Sequence, residues 1–88
     1  MKEVLYMLLP DCPYCHQANR ILENLYAQDE RYRAVPIRRV DESAEVEFAN
    51  SLDYYYVPCF YVDGVKRMEG VPSEEKVRAV LEEALAEA

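Results

Sequence analysis

VLYMLLPDCPYCHQ, residues 4–17, joins an unbroken apolar run to two cysteines that are separated by two residues. The run from Val4 to Leu9 is typical of a strand that is buried on both faces of a sheet, and Pro10 ends it. Pro13 favours the first turn of a helix, because the amide proton that proline lacks has no partner there. The pattern therefore predicts a strand followed at once by a helix, with both cysteines at the junction.

The rest of the sequence extends this start to the order β-α-β-α-β-β-α. Residues 32–40 are predicted to form the second strand, in which Pro36 indicates an irregular or edge position, and residues 43–52 the second helix. Asp63-Gly64 between two apolar runs predicts a β-hairpin, and Ser73 is expected to cap the last helix. Short apolar strands and amphipathic helices predict an α/β fold, a sheet covered by helices. The predicted apolar faces of the three helices are Ala18, Ile21, Leu22, Leu25 and Tyr26; Val46 and Ala49; and Val77, Val80, Leu81, Ala84 and Leu85.

Length and charge restrict the classes of function. A chain of 88 residues is expected to form one domain, residues 1–88. The net charge of −7, from 17 acidic and 10 basic residues, argues against binding to nucleic acid or to an anionic membrane. The first apolar run is too short for a secretory signal, and no stretch reaches transmembrane length. We therefore expect a cytoplasmic location, where thiols are kept reduced.

The cysteine pair suits thiol–disulfide exchange. Unpaired N–H groups and a partial positive charge at the start of a helix stabilise a thiolate. Cys12, at the mouth of the helix, is the expected nucleophile, and Cys15, one turn inside, is the expected resolving thiol. Structural zinc needs four ligands, and Cys59 and His16 are the remaining candidates, so metal binding is the weaker hypothesis. Three cysteines are also too few for a disulfide scaffold.

The motif CPYC, residues 12–15, resembles the active site of glutaredoxins, and Val57-Pro58 before an apolar strand resembles the valine–proline element of the same family. The resemblance covers the order of elements along nearly the whole chain. It implies a thioredoxin-like fold, in which three helices cover a four-stranded mixed sheet, and a cis bond before Pro58. It also implies that Val57 offers its backbone groups to the substrate, in a groove lined by Tyr14, Val57 and Pro58.

The sequence departs from the glutaredoxin pattern near both motifs. Many members have a basic residue just before the cysteine pair, whereas this chain has Asp11, whose charge opposes a thiolate at Cys12. The family's Gly-Gly pair is reduced to Gly70. The buried aspartate that thioredoxins place in the preceding strand is also missing, and Tyr6 stands at about that position. We therefore expect weak turnover of glutathione mixed disulfides.

Two classes of function stay open. The first is an enzyme of the glutaredoxin/thioredoxin type, a monomer without a resident cofactor or metal. It would act on protein disulfides or on glutathione mixed disulfides, with glutathione as a possible cosubstrate and a thiol reductant as its electron donor. The second is a thioredoxin-like module that binds a metal or an iron–sulfur cluster without redox turnover.

Two further features of the sequence bear on the enzyme hypothesis. The aromatic run Tyr54-Tyr55-Tyr56 is a candidate docking surface for a protein substrate, or packs in part against the second helix. Cys59 follows Pro58 directly, so it is either a third thiol of the site or a core residue. Because free cysteine is usually buried and behaves as a small hydrophobe, we expect Cys59 to lie in the core.

Overall fold

The first apolar run forms β1 (Val4–Leu8), an inner strand of a four-stranded mixed sheet. The computed structural model describes residues 1–86, so the last two residues of the predicted domain lie outside it. The other elements are α1 (Pro13–Gln28), a 3-10 helix (Glu30–Ala34), β2 (Ile37–Asp41), α2 (Val46–Asn50), β3 (Cys59–Val62), β4 (Val65–Glu69) and α3 (Glu74–Leu85). This architecture confirms the predicted α/β fold, with a mixed sheet and three α-helices.

The strands lie in the order β2-β1-β3-β4. β1 pairs in parallel with β2, and antiparallel with β3, which in turn pairs antiparallel with β4. A parallel pair needs a crossover connection, and α1 provides it between β1 and β2. The predicted hairpin joins β3 to β4. Asp63 and Gly64 both have positive φ, 50° and 81°, which is the conformation that a type I′ turn requires at both central residues.

The two inner strands are buried on both faces. On one face, Val4 and Tyr6 of β1 pack with Phe60 of β3 against α1 and α3. On the other face, Met7 and Cys59 pack against α2. Because successive side chains of a strand alternate between faces, a continuous apolar run satisfies both cores. Within the described part of the chain, none of the helices combines the length and the hydrophobicity of a transmembrane segment.

The prediction of the second strand was wrong over residues 32–36. Glu30–Ala34 forms a 3-10 helix, and the strand is limited to Ile37–Asp41. The carboxylate of Asp29 caps the 3-10 helix by accepting the Arg31 N–H at 3.0 Å. Tyr32 inserts into the core, and its hydroxyl donates to Glu82 on α3 at 2.7 Å. The edge position indicated by Pro36 is confirmed, since β2 is an edge strand and Pro36 directly precedes it.

The second helix is shorter than predicted. The Asp41 carboxylate accepts both the backbone N–H and the hydroxyl of Ser43, at 2.9 and 2.6 Å, and so holds the chain in a turn before the helix begins at Val46. Ala49 is buried as predicted, whereas Val46 is 52% exposed. The prediction for Val46 was wrong because such a short helix packs against the sheet through Phe48 and Ala49 instead.

Candidate active site

Cys12 and Cys15 lie at the start of α1. Cys12 is the N-cap residue, with extended backbone, and its carbonyl accepts the His16 N–H at 3.0 Å. Pro13 occupies the first turn, as the sequence predicts. The Cys12 side chain is partly exposed, whereas Cys15 is only 1% exposed. The structure therefore leaves one sulfur partly open to solvent and buries the other.

Both cysteines are free thiols in this structure, three residues apart at the head of α1. Burial is the main cause that raises the pKa of Cys15 well above its ordinary value, and a hydrogen bond with the Cys12 sulfur raises it further. A contact with the Leu9 backbone acts in the opposite direction. Cys15 is consequently a protonated thiol at neutral pH.

The valine–proline element faces Cys12. The Val57–Pro58 peptide bond is cis, as the resemblance implies. The Cys12 thiol donates to the Val57 carbonyl oxygen at a sulfur–oxygen distance of 3.8 Å. Pro58 is buried, and its carbonyl accepts the Gly70 N–H at 2.9 Å, which ties this loop to the end of β4. Two segments that are far apart in the chain thus meet around one sulfur.

Glu69, at the end of β4, anchors the segment that leads into the valine–proline element. One carboxylate oxygen accepts the backbone N–H groups of Tyr55 and Tyr56, the second at 2.9 Å. The other oxygen pairs with Lys66 Nζ at 3.0 Å, and Lys66 also donates to the Asp53 carbonyl at 2.8 Å. The two N–H donors lower the pKa of Glu69. Sequence reasoning missed this contact, because no local signal pairs a strand residue with the backbone of a distant loop.

The tyrosines near the site divide into two groups. Tyr54 is half-buried: it packs in the core beneath α2, and its hydroxyl donates to Glu42 at 2.6 Å. Tyr55 and Tyr56 are 88% and 69% exposed. Tyr14, between the two cysteines, is 45% exposed. The packing alternative therefore holds for Tyr54, while Tyr55 and Tyr56 remain open to a partner.

Tyr6 occupies the core beneath the cysteine pair. Its hydroxyl lies 2.8 Å from Asn19 Oδ1 and 3.1 Å from the Cys15 carbonyl oxygen, both of which are acceptors, and its ring stacks on Phe60 with centroids 4.4 Å apart. Burial is the main cause that raises the pKa of Tyr6, so the hydroxyl stays protonated. The neutral hydroxyl of Tyr6 therefore stands at about the position where thioredoxins place a buried aspartate.

Cys59 lies on the other face of the sheet from α1 and is fully buried against Met7, Val40 and Ala49. Burial is the main cause that raises its pKa to about 12. The expectation that Cys59 is a core residue is confirmed. Among residues 1–86, no three side chains of His, Cys, Asp or Glu are grouped so that they could hold a metal ion.

The fold, with a cysteine pair at the head of its first helix, defines a thioredoxin-like protein. Residues 3–82 match the model of the family described as a thioredoxin domain, and the chain belongs to this family. A comparison with curated proteins gave no match. The family match confirms the wider thioredoxin-like assignment, whereas the narrower glutaredoxin assignment stays a prediction.

Several solved structures share the fold. Thioredoxin O1 from Arabidopsis thaliana, in its oxidized state, has a TM-score of 0.69 at 22% identity, over 94% of this chain and 77% of that one. The periplasmic thioredoxin SoxS from Paracoccus pantotrophus, in its reduced form, has a TM-score of 0.61 at 20% identity, over 96% and 95%. A malarial protein has a TM-score of 0.73 at 14% identity, over 98% and 99%. At these identities the likeness establishes the fold alone.

Proposed function

We propose that this protein is a thiol–disulfide oxidoreductase in which Cys12 attacks the substrate and Cys15 resolves the intermediate. The observation that carries the proposal is the unequal placement of the two neighbouring cysteines. Cys12 is partly exposed at the head of α1, whereas Cys15 is buried and protonated behind it. Membership of the thioredoxin domain family supports the same reading.

The first half-reaction uses Cys12 alone. Its thiolate attacks one sulfur of a substrate disulfide, so that a mixed disulfide forms between Cys12 and the substrate while the substrate's own S–S bond breaks. The second substrate sulfur leaves as a thiolate and takes up a proton. Cys12 is the sulfur that a substrate can reach, since it is partly exposed at the N-cap of α1.

The second half-reaction uses Cys15. After losing its proton, the Cys15 sulfur attacks Cys12 Sγ, and the remaining substrate sulfur leaves and is protonated. The substrate disulfide has then gained two electrons and two protons, and the Cys12–Cys15 pair is oxidised to a disulfide. An external thiol reductant returns the pair to the dithiol state and completes the cycle.

The backbone of Val57 is the proposed substrate contact. Its carbonyl lies 3.8 Å from the Cys12 sulfur, close enough for an extended substrate segment to pair with this loop as a short added strand. Tyr14 and Pro58 complete the proposed surface. The substrates would be protein disulfides or glutathione mixed disulfides, and the exposed Asp11 beside Cys12 favours the former, because glutathione carries two carboxylates. A cytoplasmic location and a monomeric state remain predictions.

The test compares three variants with the wild type in reduction of a fluorogenic peptide disulfide. Cys12→Ser should abolish turnover, Cys15→Ser should accumulate the mixed disulfide, and the core variant Cys59→Ala should keep turnover. Limiting iodoacetamide followed by mass spectrometry should label Cys12 in the reduced wild type. Preferential labelling of Cys15, or turnover by Cys12→Ser, would refute the assignment.

A further inference from the structure

A groove lies beside Cys12, along Leu9 and Ser43. It consists of two adjoining depressions of about 390 and 260 Å³, which share Leu9 and Ser43 as walls. Cys12 lines the larger one, and Tyr55 lines the smaller one. A substrate segment that pairs with Val57 and presents a sulfur to Cys12 would therefore continue along this groove.

The ionisable residues that line the groove, apart from Cys12 and the tyrosines, are two carboxylates. Asp11 lies beside Cys12 in the larger depression, and Glu42 lies in the smaller one. Neither carboxylate forms an ion pair within residues 1–86; Glu42 accepts the hydroxyl of Tyr54, and Asp11 is exposed. No lysine or arginine lines either depression. The nearest imidazole, His16, is engaged with the Pro10 carbonyl.

Two exposed tyrosines accompany these carboxylates. Tyr55 lines the smaller depression and is 88% exposed, and Tyr14, two residues after Cys12 in the first turn of α1, is 45% exposed. The face of a tyrosine ring attracts arginine and lysine through its negative electrostatic potential. Carboxylates along the walls and exposed tyrosine rings beside them are complementary to the same kind of ligand, a cationic peptide.

We infer that the groove selects protein disulfides whose flanking residues are lysine or arginine, bound as an extended segment between Val57 and Tyr55. This inference rests on the proposed function, and it names the substrate class of that same site. Positive residues beside the substrate disulfide would meet Asp11 and Glu42, whereas acidic residues would be repelled. The net charge of −7 acts in the same direction at longer range, by steering cationic partners towards the protein.

Three peptides with the same disulfide test the inference, with lysine, glutamine or glutamate beside each cysteine. At low ionic strength the wild type should reduce the lysine peptide with a kcat/KM about tenfold above that of the glutamate peptide, since each exposed charge contact contributes up to about fivefold. The difference should lie mainly in KM. It should shrink in about 0.5 M salt, where charges are screened over a few ångströms.

Two variants separate the groove from net charge. Asp11→Asn with Glu42→Gln should reduce the lysine-to-glutamate ratio to about twofold or less, because the local carboxylates are gone. Glu23 is exposed on α1, about 16 Å along the helix from Cys12. Glu23→Gln removes one carboxylate charge there and should keep the lysine-to-glutamate ratio near the wild-type value.

The outcomes distinguish the inference from the proposed function. Equal reduction of all three peptides by the wild type, or an unchanged ratio in the double variant, would overturn the inference and leave the oxidoreductase proposal standing. An equal loss of the ratio in Glu23→Gln would also overturn it, because net charge alone would then explain the preference. Failure of the wild type to reduce any of the peptides would refute the oxidoreductase proposal, and the inference with it.

Discussion

Replacing Glu69 should loosen the segment that presents Val57 to Cys12. Glu69 lies outside the sequence-predicted site, yet its carboxylate accepts the N–H groups of Tyr55 and Tyr56. Glu69→Gln keeps an oxygen acceptor but removes the charge and the ion pair with Lys66. Glu69→Ala removes the acceptor altogether, so it should have the larger effect on both stability and turnover.

The magnitude follows from the number of bonds and from their exposure. A hydrogen bond to a charged group contributes about 1.5–3 kcal/mol when it is well protected. Here two N–H groups share one oxygen, the side chain of Glu69 is 20% exposed, and water can reach Tyr55 and Tyr56. We therefore expect Glu69→Ala to lower the free energy of unfolding by about 1.5 kcal/mol in total. For a domain of this size that corresponds to a decrease in Tm of about 6–12 °C.

The effect should depend on pH in a defined direction. The N–H groups of Tyr55 and Tyr56 lower the pKa of Glu69 in the folded protein. A carboxyl group with a lowered folded pKa stabilises the protein above its unfolded pKa of about 4.3, and this contribution is lost as the pH falls through the folded value. The stability difference between wild type and Glu69→Gln should therefore be full at pH 7 and disappear in acid.

Three measurements test this reasoning: denaturant unfolding between pH 3 and 7, amide hydrogen exchange at Tyr55 and Tyr56, and kcat/KM for a peptide disulfide. Exchange at the two amides should accelerate in the Glu69 variants, and kcat/KM should fall. Glu23→Gln is the matched control, because Glu23 is exposed and its side chain forms no hydrogen bond or ion pair among residues 1–86. Unchanged amide exchange in a folded Glu69→Ala protein would refute the anchoring role.

Three other substitutions test separate parts of the structure. Cys59→Ala should cost about 1–2 kcal/mol in denaturant unfolding, because a buried sulfur is lost from the core. It should shift the reduction potential of the active-site pair by less than about 30 mV, and a larger shift would place Cys59 in the site. Asp11→Lys should speed alkylation of Cys12 by iodoacetamide and raise turnover of glutathione mixed disulfides, since a cation replaces an anion beside the sulfur; unchanged rates would show that this charge is irrelevant. Tyr6→Phe removes the hydroxyl from its contacts with Asn19 and the Cys15 carbonyl, and should lower stability by about 1–2 kcal/mol; an unchanged unfolding midpoint would contradict this.

Local sequence signals predicted the elements that frame the site. The apolar run before Pro10 predicted β1, Pro13 predicted the start of α1, and Asp63-Gly64 predicted the hairpin. The prediction for Ser73 is also confirmed, since its hydroxyl oxygen accepts the Lys76 N–H. Each of these signals acts within a few residues, through backbone conformation, capping or strand alternation. They could therefore be interpreted without knowing which parts of the chain meet.

Local signals gave wrong predictions where contacts between distant segments determine the backbone conformation. The second strand was predicted to begin at residue 32, but residues 30–34 form a 3-10 helix, because Tyr32 enters the core and its hydroxyl donates to Glu82 on α3. The second helix was also predicted to begin too early, at residue 43. Hydrogen bonds from Ser43 to the Asp41 carboxylate hold a turn there, and the helix begins only at Val46.

The candidate site shows the same division. The local pattern of the chain predicted a cysteine pair at a helix start, with Cys12 outside and Cys15 inside, because both positions follow from one strand–helix junction. Folding alone brings the Val57 carbonyl to the Cys12 sulfur, and the Glu69 carboxylate to the amides of the preceding segment. These contacts depend on the pairing of β3 with both β1 and β4, and the free energy of that pairing is distributed over the whole core rather than encoded in any short stretch.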